Sequence, residues 1–539
     1  MSLKFVEAAA GHVPTGLLIR HILEGAVATA AEQEIVYRDR FRYTYAAMAE
    51  RVHRLASALS ALGVGEGATV AVMDWDSHRY LEAYFAIPMM GAVLQTVNVR
   101  LSRAQLIHCL ASTGATHLIF HADFATLVAD ILPDLPILTC HVLIEENGVV
   151  DMDGVAGEYE ALLAGASAPF AFVDFDENAV ATTFHTTGTT GLPKAVAFSH
   201  RQIVLHALAL ATTMGWQPAG QGLRRDDVYM PLTPMFHVHA WGLPLVATMA
   251  GVKQVYPGRY EPALIIELKV REGVSFSHCV PTVLRMILDA ADTVSMATLA
   301  PWAMLVGGSA LPEALQGAAS RSGITTFAGY GMSETGPVVA VARNADADGA
   351  DLRRAGRLVP LVSATIVDVA MTPQPRDGTS VGELVLRAPW LTACYPGDAL
   401  ASDELWFGGW LHTQDIATIA PDGTVEIRDR LKDVIKSGGE RISSVQLEDA
   451  VLRHPLVKEV AIIGVADPHW GERPFAFIVL DECAQPSEVI ASVKALLAEN
   501  VATGQMSRFA IPARFECIDC LPKTSVGKID KRELRNRAS

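Results

Sequence analysis

The sequence predicts an α/β protein, in which a large domain of helix-flanked, mostly parallel sheets precedes a smaller α+β domain. Helical and strand patterns alternate from residue 41 onward, and this alternation favours a parallel sheet with helices on its faces. After residue 350 the pattern changes to short strands between Pro, Gly and Asp turns, which indicates a small β-barrel-like part of the large domain. A chain of 539 residues is too long for one hydrophobic core, so at least two domains are expected.

The first elements follow from the spacing of apolar residues. Apolar side chains recur every three to four residues over 48–62, which predicts a helix capped by Thr44 and ended by Gly63. Short apolar runs and further helical periods predict strand 68–73, helix 78–90, strand 93–97, helix 103–111 and strand 117–120, in that order. The same alternation recurs through 204–214, 254–256, 262–270 and 302–305.

The charged cluster at 428–433 marks the predicted domain boundary, although a run of this kind is most often a solvated turn. Short strands are predicted before it, at 364–369, 382–386 and 425–427. Beyond it, the patterns predict a helix over 445–453, strands near 460–465 and 475–479, a helix over 487–499 and a basic tail. The last hundred residues therefore form a smaller unit.

Composition narrows the functional classes. The 43 basic and 59 acidic side chains give a formal charge of −16, which argues against nucleic acid as the main partner. No apolar run reaches the roughly 18–20 residues that span a bilayer, because the longest one, 240–252, contains Pro244 and two glycines. The N-terminus lacks a secretory signal pattern, and seven scattered cysteines suit a reducing compartment. We therefore expect a cytoplasmic protein without a transmembrane segment.

A loop rich in threonine and glycine spans residues 184–194 and reads Phe-His-Thr-Thr-Gly-Thr-Thr-Gly-Leu-Pro-Lys. Glycines let backbone N–H groups face an anion, hydroxyls add donors, and Lys194 adds a positive charge, so the loop suits a polyphosphate. The common P-loop is disfavoured, because it needs glycine before the lysine and Ser or Thr after it. Here those positions are Pro193 and Ala195. Most such segments are surface turns, but the strand-like run that follows favours a loop held between two sheet elements.

The chain resembles the adenylate-forming superfamily of acyl-CoA synthetases, peptide-synthetase adenylation domains and luciferase. The 184–194 loop resembles its phosphate-binding motif, and six further segments match in family order: 231–241, 307–310, 329–335, 409–415, 430–440 and 521–528. The resemblance implies an ATP-dependent reaction with Mg²⁺ and coenzyme A, in which a carboxylic acid becomes an acyl-AMP and then a thioester. It also implies an N-terminal adenylation domain at 1–429, a hinge at 430–432 and a mobile C-terminal domain at 433–539.

The chemistry of adenylation explains the residue types that the resemblance points to. A carboxylate substrate is already ionised at neutral pH, so attack on the α-phosphate needs positioning and charge cancellation rather than a general base. The residues with an implied catalytic role are Lys528, Glu334, Lys194 and His237. Of these, Lys528 is expected to bridge the substrate carboxylate and the α-phosphate, a task that suits a compact charge on a flexible stem. Without its Gly-Lys context it would be one more surface lysine of a basic tail.

The resemblance implies ligand contacts for further residues. Thr186 and Glu334 are expected to hold Mg²⁺. The phosphates are expected on Thr186, Thr187, Gly188, Thr189, Thr190 and Gly191. Adenine and ribose are expected on Gly308, Ser309, Ala310, Gly329, Tyr330, Gly331, Met332, Ser333, Asp415 and Arg430. The acyl group is expected among His237, Trp241, Gly308 and Gly331. A His between apolar residues is more often a hydrogen-bonded core residue, but the resemblance favours His237 as a wall of this pocket.

The second half-reaction is expected to need a rearrangement of the small domain. By resemblance, that domain rotates about Lys432, withdraws Lys528 and brings Lys436, Gly438 and Gly439 to the site. A loop with few side chains leaves room for the pantetheine of coenzyme A. A hinge motion that exchanges catalytic parts should make hinge changes affect the two partial reactions unequally.

The segments 235–242 and 435–444 resemble the fatty-acyl-CoA synthetase branch more than the aryl-acid or acetate branches. In that branch, the residue that matches Trp241 gates an apolar tunnel, so a medium- to long-chain fatty acid is expected. The branch also includes ligases for short thioether acids such as 3-methylmercaptopropionate, so a shorter acid remains open. Four positions depart from the family pattern, namely Ala195, Ser333, Gln414 and Arg441. Ala195 and Gln414 put rate and nucleotide affinity in doubt.

Other interpretations remain beside the leading one. The acyl acceptor is alternatively a carrier-protein thiol, although no carrier domain is recognisable in the chain. A non-enzyme reading, a catalytically impaired acyl-adenylate-binding protein, is motivated by Ala195 and Gln414 and opposed by the retained Glu334, Asp415 and Lys528. Luciferase-like oxidation is disfavoured because nothing indicates a luciferin pocket. A homodimer is expected from the resemblance alone.

Overall fold

The computed structural model describes residues 3–146, 148, 152–166, 169–186, 192–218, 221–291, 299–342, 354–525 and 527–538. Within these residues the α-helices are α1 Arg20–Ala30, α2 Tyr45–Ala61, α3 His78–Met89, α4 Arg103–Ser112, α5 Ala125–Ile131, α6 Tyr159–Gly165, α7 His200–Gly215, α8 Val238–Trp241, α9 Leu243–Ala250, α10 Pro262–Glu272, α11 Pro281–Ala291, α12 Glu313–Arg321, α13 Ala399–Leu405, α14 Ser444–Leu452, α15 Pro486–Ala502 and α16 Lys531–Ala538.

The strands of the large N-terminal part are β1 Glu34–Tyr37, β2 Phe41–Thr44, β3 Thr69–Met73, β4 Val93–Thr96, β5 His117–His121, β6 Cys140–Ile144, β7 Gly157–Glu158, β8 Val180–Thr186, β9 Lys194–Ser199, β10 Val228–Leu232, β11 Lys253–Tyr256, β12 Phe276–Cys279, β13 Trp302–Gly307, β14 Ile324–Gly331, β15 Val338–Val341, β16 Arg354–Leu358, β17 Ser363–Val367, β18 Gly382–Arg387, β19 Leu411–Ile419 and β20 Val425–Arg430. The C-terminal strands are β21 Ile435–Ser437, β22 Glu440–Ile442, β23 Val457–Asp467, β24 Gly471–Leu480 and β25 Arg514–Cys517.

Helix α2 shows why the periodic segments were predicted correctly. The Thr44 hydroxyl accepts the backbone N–H of Ala47, so it caps the helix as expected. Met48, Val52 and Leu55 are buried on one face, where their removal from water stabilises the helix against its neighbours. The predicted elements from 68 to 120 are likewise present, with ends that differ by no more than one residue.

Two sheets make up the large part of the molecule, and both are mixed. The first has the strand order β7-β6-β5-β3-β4-β8-β9 and is parallel except for the β8–β9 pair. The second has the order β17-β18-β19-β20-β16-β15-β14-β13-β12-β10-β11-β1-β2. Its strands run parallel from β14 through to β1. The expected α/β architecture is therefore confirmed.

The strands after residue 350, where a small β-barrel-like part was expected, form the antiparallel run β17-β18-β19-β20-β16. This run continues the second sheet through the β15–β16 pair. It carries Asp415 on β19 and Arg430 on β20, which are register partners. The continuity matters for function, because it attaches both polar side chains to the same sheet as the parallel strands.

The C-terminal unit has its own sheet and its own core. Strands β22, β21, β24 and β23 lie side by side, and β25 pairs with β24 in parallel. A separate apolar cluster contains Ile435, Leu447, Ile478 and Val493. A unit with its own buried core is the basis for a separate domain. The domain limits 1–429, 430–432 and 433–539 stay a prediction.

Two observations bear on the expected environment. In the described part of the chain, none of the helices combines the length and the apolar character required to cross a membrane. The apolar run 240–252 is instead divided between the short α8 turn and helix α9, which is buried from Leu243 to Thr248. All seven cysteines are free thiols.

Candidate active site

The parallel strands of the second sheet bring the predicted site segments to one edge. Strands β10, β12, β13 and β14 are consecutive parallel neighbours. Their carboxyl ends therefore point the same way, and ligands of open α/β sheets bind outside such ends. The segments that follow them are 233–241, 280–282, 308–310 and 332–335. Three of these four were predicted as site segments, and the turn at 280–282 was not.

Glycines are required at this edge because the backbones of neighbouring segments lie very close to each other. Gly307 is the register partner of Gly329, and a Cβ on Gly307 would lie 2.6 Å from the Gly329 carbonyl oxygen. A Cβ on Gly331 would lie only 1.7 Å from the Pro337 carbonyl oxygen. No side chain fits at those distances. The turns after β13 and β14 expose Ser309 and Ala310 and leave Met332 and Ser333 half-buried.

Lys528 reaches this edge from the C-terminal unit. Its Cε lies 3.2 Å from the place where a Cβ on Gly308 would be, and Gly308 has a left-handed φ of 82°. The missing side chain thus leaves a slot for the lysine stem. Burial lowers the pKa of Lys528 to about 8, assisted by the charge of Arg430 and opposed by the carboxylates of Asp415 and Glu334. The structure therefore brings together four of the predicted charged residues.

Asp415 and Tyr330 form a fixed pair beside the glycine turns. The Tyr330 hydroxyl donates to Oδ2 of Asp415 at 2.7 Å, and Arg430 Nε lies 3.5 Å from Oδ1. Burial raises the pKa of the Asp415 carboxyl, while Arg430 and Tyr330 act in the opposite direction. A buried carboxylate accepts hydrogen bonds strongly, so this pair can orient the hydroxyls of a sugar.

Glu334 and Lys194 approach each other through Tyr395, a residue that sequence reasoning missed. The Tyr395 hydroxyl donates to Oε1 of Glu334 at 2.6 Å, and Lys194 Nζ lies 4.9 Å from the centre of the Tyr395 ring. Lys194 is also 3.8 Å from Asp398. Tyr395 lies 61 residues from Glu334 in a loop without a recognisable motif, so only the fold shows the contact.

The phosphate loop itself is only partly described. Thr186 ends β8 and is the register partner of Lys194, so the loop joins two antiparallel strands as expected. The residues between them that were predicted to bind phosphate lie outside the described residues: Thr187, Gly188, Thr189, Thr190 and Gly191. Thr186 and Lys194, at the two ends of the loop, lie side by side in the first sheet.

The buried carboxylate of Glu334 offers oxygen ligands of the kind that bind a hard divalent cation. Glu334 is 6% exposed, and burial raises the pKa of its carboxyl despite the Tyr395 hydrogen bond and the charges of Arg430 and Lys528. A charged oxygen in such surroundings is costly unless a cation lies nearby. Oxygen ligands are also those that Mg²⁺ prefers. Glu334 therefore suits the expected metal, and its assignment as a ligand together with Thr186 stays a prediction.

The predicted acyl wall comes from the turn after β10. His237 lines a small cavity with Asn98, His185 and Phe236, and its pKa is lowered to about 3 by burial and by the charges of Lys528 and Arg100. The imidazole is thus neutral, which agrees with a wall rather than a proton donor. Trp241 is 5% exposed, and its Cη2 lies 3.1 Å from the Cβ position of Gly307. The indole therefore covers the end of β13.

The backbone of this wall is strained. Val238, His239, Ala240 and Trp241 all have left-handed φ values, from 47° to 59°. Each such non-glycine residue costs roughly 1–2 kcal/mol. The segment just before the turn is held by buried side chains of the first sheet and of the α3 region. Asp76 accepts the N–H of Met235 at 2.8 Å, Thr96 donates to the Phe236 carbonyl at 2.8 Å, and Tyr84 donates to the Met235 carbonyl.

The segment expected to serve coenzyme A lies elsewhere. Lys436 donates its N–H to Glu472, Gly438 donates to the Trp470 carbonyl, and Gly438 packs on Phe509. These partners all belong to the C-terminal unit. Gly439 has a left-handed φ of 83° and open space where a Cβ would be. Lys432 lies between the two units, next to Arg430 and Asp433. Thus the structure places Lys528 at the site, whereas Lys436, Gly438 and Gly439 lie in strand β21 and in the turn that joins it to β22.

The structure shows the backbone conformation and the neighbours of two positions that depart from the family pattern. Gln414 has a left-handed φ of 59°, a conformation that glycine adopts without cost, so its backbone is strained beside Asp415. Its N–H is satisfied by Glu383 at 3.0 Å. Ala195 lies within β9 opposite His185, where a methyl group fits an extended strand. The extended backbone thus accommodates the methyl group of Ala195, whereas Gln414 is held in a strained conformation.

Comparison with known proteins supplies a context for this geometry. The family model described as AMP-binding enzyme matches residues 23–396, and the one described as AMP-binding enzyme C-terminal domain matches residues 446–528. A long-chain-fatty-acid–CoA ligase of Thermus thermophilus is 38% identical over 530 residues, which cover 96% of this chain and 94% of the relative. A 3-methylmercaptopropionyl-CoA ligase of Ruegeria lacuscaerulensis is 33% identical, with 96% and 97% covered.

Solved structures share the fold. The crystal structure of the anthranilate CoA ligase AuaEII in complex with anthranoyl-AMP has a TM-score of 0.86 at 24% identity, and the match covers 98% of each chain. An ATP-bound MatB from Rhodopseudomonas palustris has a TM-score of 0.84 at 23% identity, over 97% of this chain and 99% of that one. At these identities the likeness concerns the architecture.

Proposed function

The chain belongs to the AMP-binding enzyme family, and from that membership we propose that it joins a medium- to long-chain fatty acid to coenzyme A. Its class is that of an AMP-forming acid–thiol ligase, which uses ATP, Mg²⁺ and coenzyme A. The single observation that carries the proposed mechanism is the seat of Lys528 in the Gly308 slot, next to Asp415 and Glu334.

In the first half-reaction, a carboxylate oxygen of the acid attacks the α-phosphorus of ATP. A new O–P bond forms, the bond from the α-phosphorus to its bridging oxygen breaks, and pyrophosphate leaves without any proton transfer. Lys528 is positioned to hold the charge that shifts between the carboxylate and the phosphate. Asp415 and Tyr330 orient the ribose, and Thr186 and Glu334 would hold Mg²⁺, which supplies charge neutralisation on the phosphates when bound.

In the second half-reaction, the thiol of coenzyme A attacks the acyl carbon. A C–S bond forms, the bond between the acyl carbon and the phosphate oxygen breaks, AMP leaves and the thiol proton is released. Lys436, Gly438 and Gly439 are proposed to serve this step after the C-terminal unit rotates about Lys432. Their present position outside the site supports a structure arranged for the first step.

The fatty-acid assignment rests on the apolar surroundings of Trp241. The indole belongs to the same buried apolar cluster as Leu305, Phe327 and Val338. A chain that displaces the indole would enter apolar surroundings, where each buried CH₂ contributes roughly 0.8 kcal/mol. The relative from Thermus thermophilus, at 38% identity, is named for long-chain acids, which agrees with this assignment. The relative named for 3-methylmercaptopropionate supports a short thioether acid as the second candidate.

The assignment is tested by pyrophosphate release with ATP and Mg²⁺ across saturated acids from acetate to palmitate, with and without coenzyme A. For a fatty-acid pocket, KM should fall roughly fourfold per added CH₂ until the pocket is filled, as the transfer energy of one CH₂ requires. AMP and acyl-CoA should be the products. A maximum at 3-methylmercaptopropionate, with KM flat along the saturated series, would replace the fatty acid by the thioether acid.

The pH dependence of the first half-reaction is a separate prediction. Because the free protein holds Lys528 with a pKa of about 8, the lysine is protonated below that pH and loses its charge above it. We expect kcat/KM for ATP in pyrophosphate exchange to fall above pH ~8 with a slope approaching tenfold per unit, since kcat/KM reports the free enzyme. Lys528→Arg should be slower but flat over this range, because arginine stays charged. An equal fall in both proteins would assign the titration to another group.

A further inference from the structure

The loop that carries Lys528 is a compact turn closed by its own backbone. Thr524 donates its N–H to the Lys528 carbonyl at 2.7 Å, and the Lys528 N–H is 3.2 Å from the Thr524 hydroxyl. Gly527 donates to the Thr524 carbonyl at 2.9 Å. Because these bonds make the turn a unit, whatever holds one of its residues also sets the position of Lys528.

Asn98 and Arg100 hold this turn at Ser525. Both residues follow β4, in the large part of the molecule. Asn98 Nδ2 donates to the Ser525 hydroxyl at 2.9 Å, and Arg100 Nη1 donates to the Ser525 carbonyl at 3.3 Å. These bonds span more than 400 positions of sequence. They join the first sheet to the C-terminal unit.

The side chain of Asn98 is buried and fixed in position for this contact. It is 8% exposed, and its other amide atom, Oδ1, accepts the Arg100 N–H at 3.1 Å. Both ends of the amide are therefore used, one to fix the side chain and one to reach the turn. On the opposite side, a Cβ on Gly527 would lie 2.9 Å from the Thr282 hydroxyl, so the turn fits closely against the start of α11.

We propose that Asn98 and Arg100 are positioning residues that dock the Lys528 turn for acyl-AMP formation. The inference rests on the proposed two-step function and assigns residues to one of its steps. Both contacts join parts that the proposed rotation about Lys432 separates. They therefore stabilise the arrangement with Lys528 at the Gly308 slot and contribute nothing once the turn has been withdrawn.

The test compares the two half-reactions in Asn98→Ala, Ser525→Ala and the double variant. ATP–pyrophosphate exchange should fall roughly three- to tenfold in each single variant, the value of one hydrogen bond. The double variant should be no slower than the singles, because both remove the same bond. Thioester formation from supplied acyl-AMP should be unchanged or faster. Ser487→Ala, an exposed serine of α15 in the same unit, is the matched control and should leave both rates unchanged.

Equal losses in both half-reactions, or additive losses in the double variant, would overturn the docking role. A second measurement does not depend on catalysis. Peptide 521–531 has the same sequence in wild-type protein and in the Asn98→Ala/Arg100→Ala double variant. Its amide hydrogens should exchange roughly three- to tenfold faster in the double variant, while exchange within α15 stays constant. Unchanged exchange at 521–531 would also overturn the proposal. If wild-type protein forms no acyl-AMP from any acid, the proposed function fails, and the exchange experiment still decides the docking.

Discussion

Replacing Lys528 with alanine should slow acyl-AMP formation roughly 10²–10³-fold, the cost of removing one preorganised charge from a buried site. The side chain lies in the Gly308 slot, where Arg430, Asp415 and Glu334 all affect its pKa. Thioester formation from supplied acyl-AMP should stay largely intact, because that step is proposed to occur after the lysine has been withdrawn. Pyrophosphate exchange and a stopped assay with synthetic acyl-AMP measure the two rates.

Lys523→Ala is the matched control for this substitution. Lys523 lies five positions earlier in the same segment, but its Nζ pairs with Glu459 of the C-terminal unit at 2.7 Å. The same loss of charge there should leave pyrophosphate exchange within the range of a surface ion pair, about twofold. If Lys528→Ala reduces both half-reactions equally, the proposed exchange of catalytic parts between two arrangements is wrong.

Glu334→Gln is the second substitution with a large expected effect. Glutamine keeps the volume and an oxygen that accepts the Tyr395 hydroxyl, so the change removes the charge and little else. We expect pyrophosphate exchange to fall roughly 10²-fold, and half-maximal rate to require more Mg²⁺, because the anionic oxygen ligand is lost. Titration of the exchange rate with Mg²⁺ measures both effects. Tyr395→Phe, which removes only the hydrogen bond, should cost less than tenfold.

Thermal unfolding separates this role from a structural one. Burial raises the pKa of Glu334, so the folded state binds its proton more tightly than the unfolded state. For an acid, that shift means that stability declines as the pH rises and the group ionises, so at neutral pH the charge opposes folding. Glu334→Gln should therefore unfold at the same or a higher temperature in the absence of Mg²⁺. Loss of stability together with loss of activity would instead indicate a structural carboxylate.

Local sequence was sufficient for the periodic elements between residues 44 and 121. The helix at Thr44 was predictable because a cap, a period and a terminating glycine all lie within 20 residues. The turns at Gly307 and Gly329 were predicted from the resemblance of segments 307–310 and 329–335 to family motifs. The structure adds the reason for glycine at position 307, where the backbone lies against that of Gly329. The class of reaction followed from the resemblance of short motifs in the chain to those of the adenylate-forming superfamily.

Residues that act through distant partners gave no such signal. Tyr395 became part of the site only through its bond to Glu334, and Asn98 only through its bond to Ser525. The left-handed turn at Val238–Trp241 gave no sequence signal either, because local backbone preference opposes it. Contacts from Asp76, Thr96 and Tyr84 hold the residues just before the turn. A conformation that local energetics disfavour cannot be read from local sequence.

By itself, the sequence determined the α/β class, the order of the elements and the set of chemical groups available for adenylation. These depend on periodicity, on turn residues and on side-chain chemistry, all of which act over a few positions. Only the tertiary structure decided which groups meet: Lys528 with Gly308, Tyr395 with Glu334, and Ser525 with Asn98. These contacts join segments that are far apart in the sequence, and they depend on how large apolar surfaces pack, which no short stretch of sequence specifies.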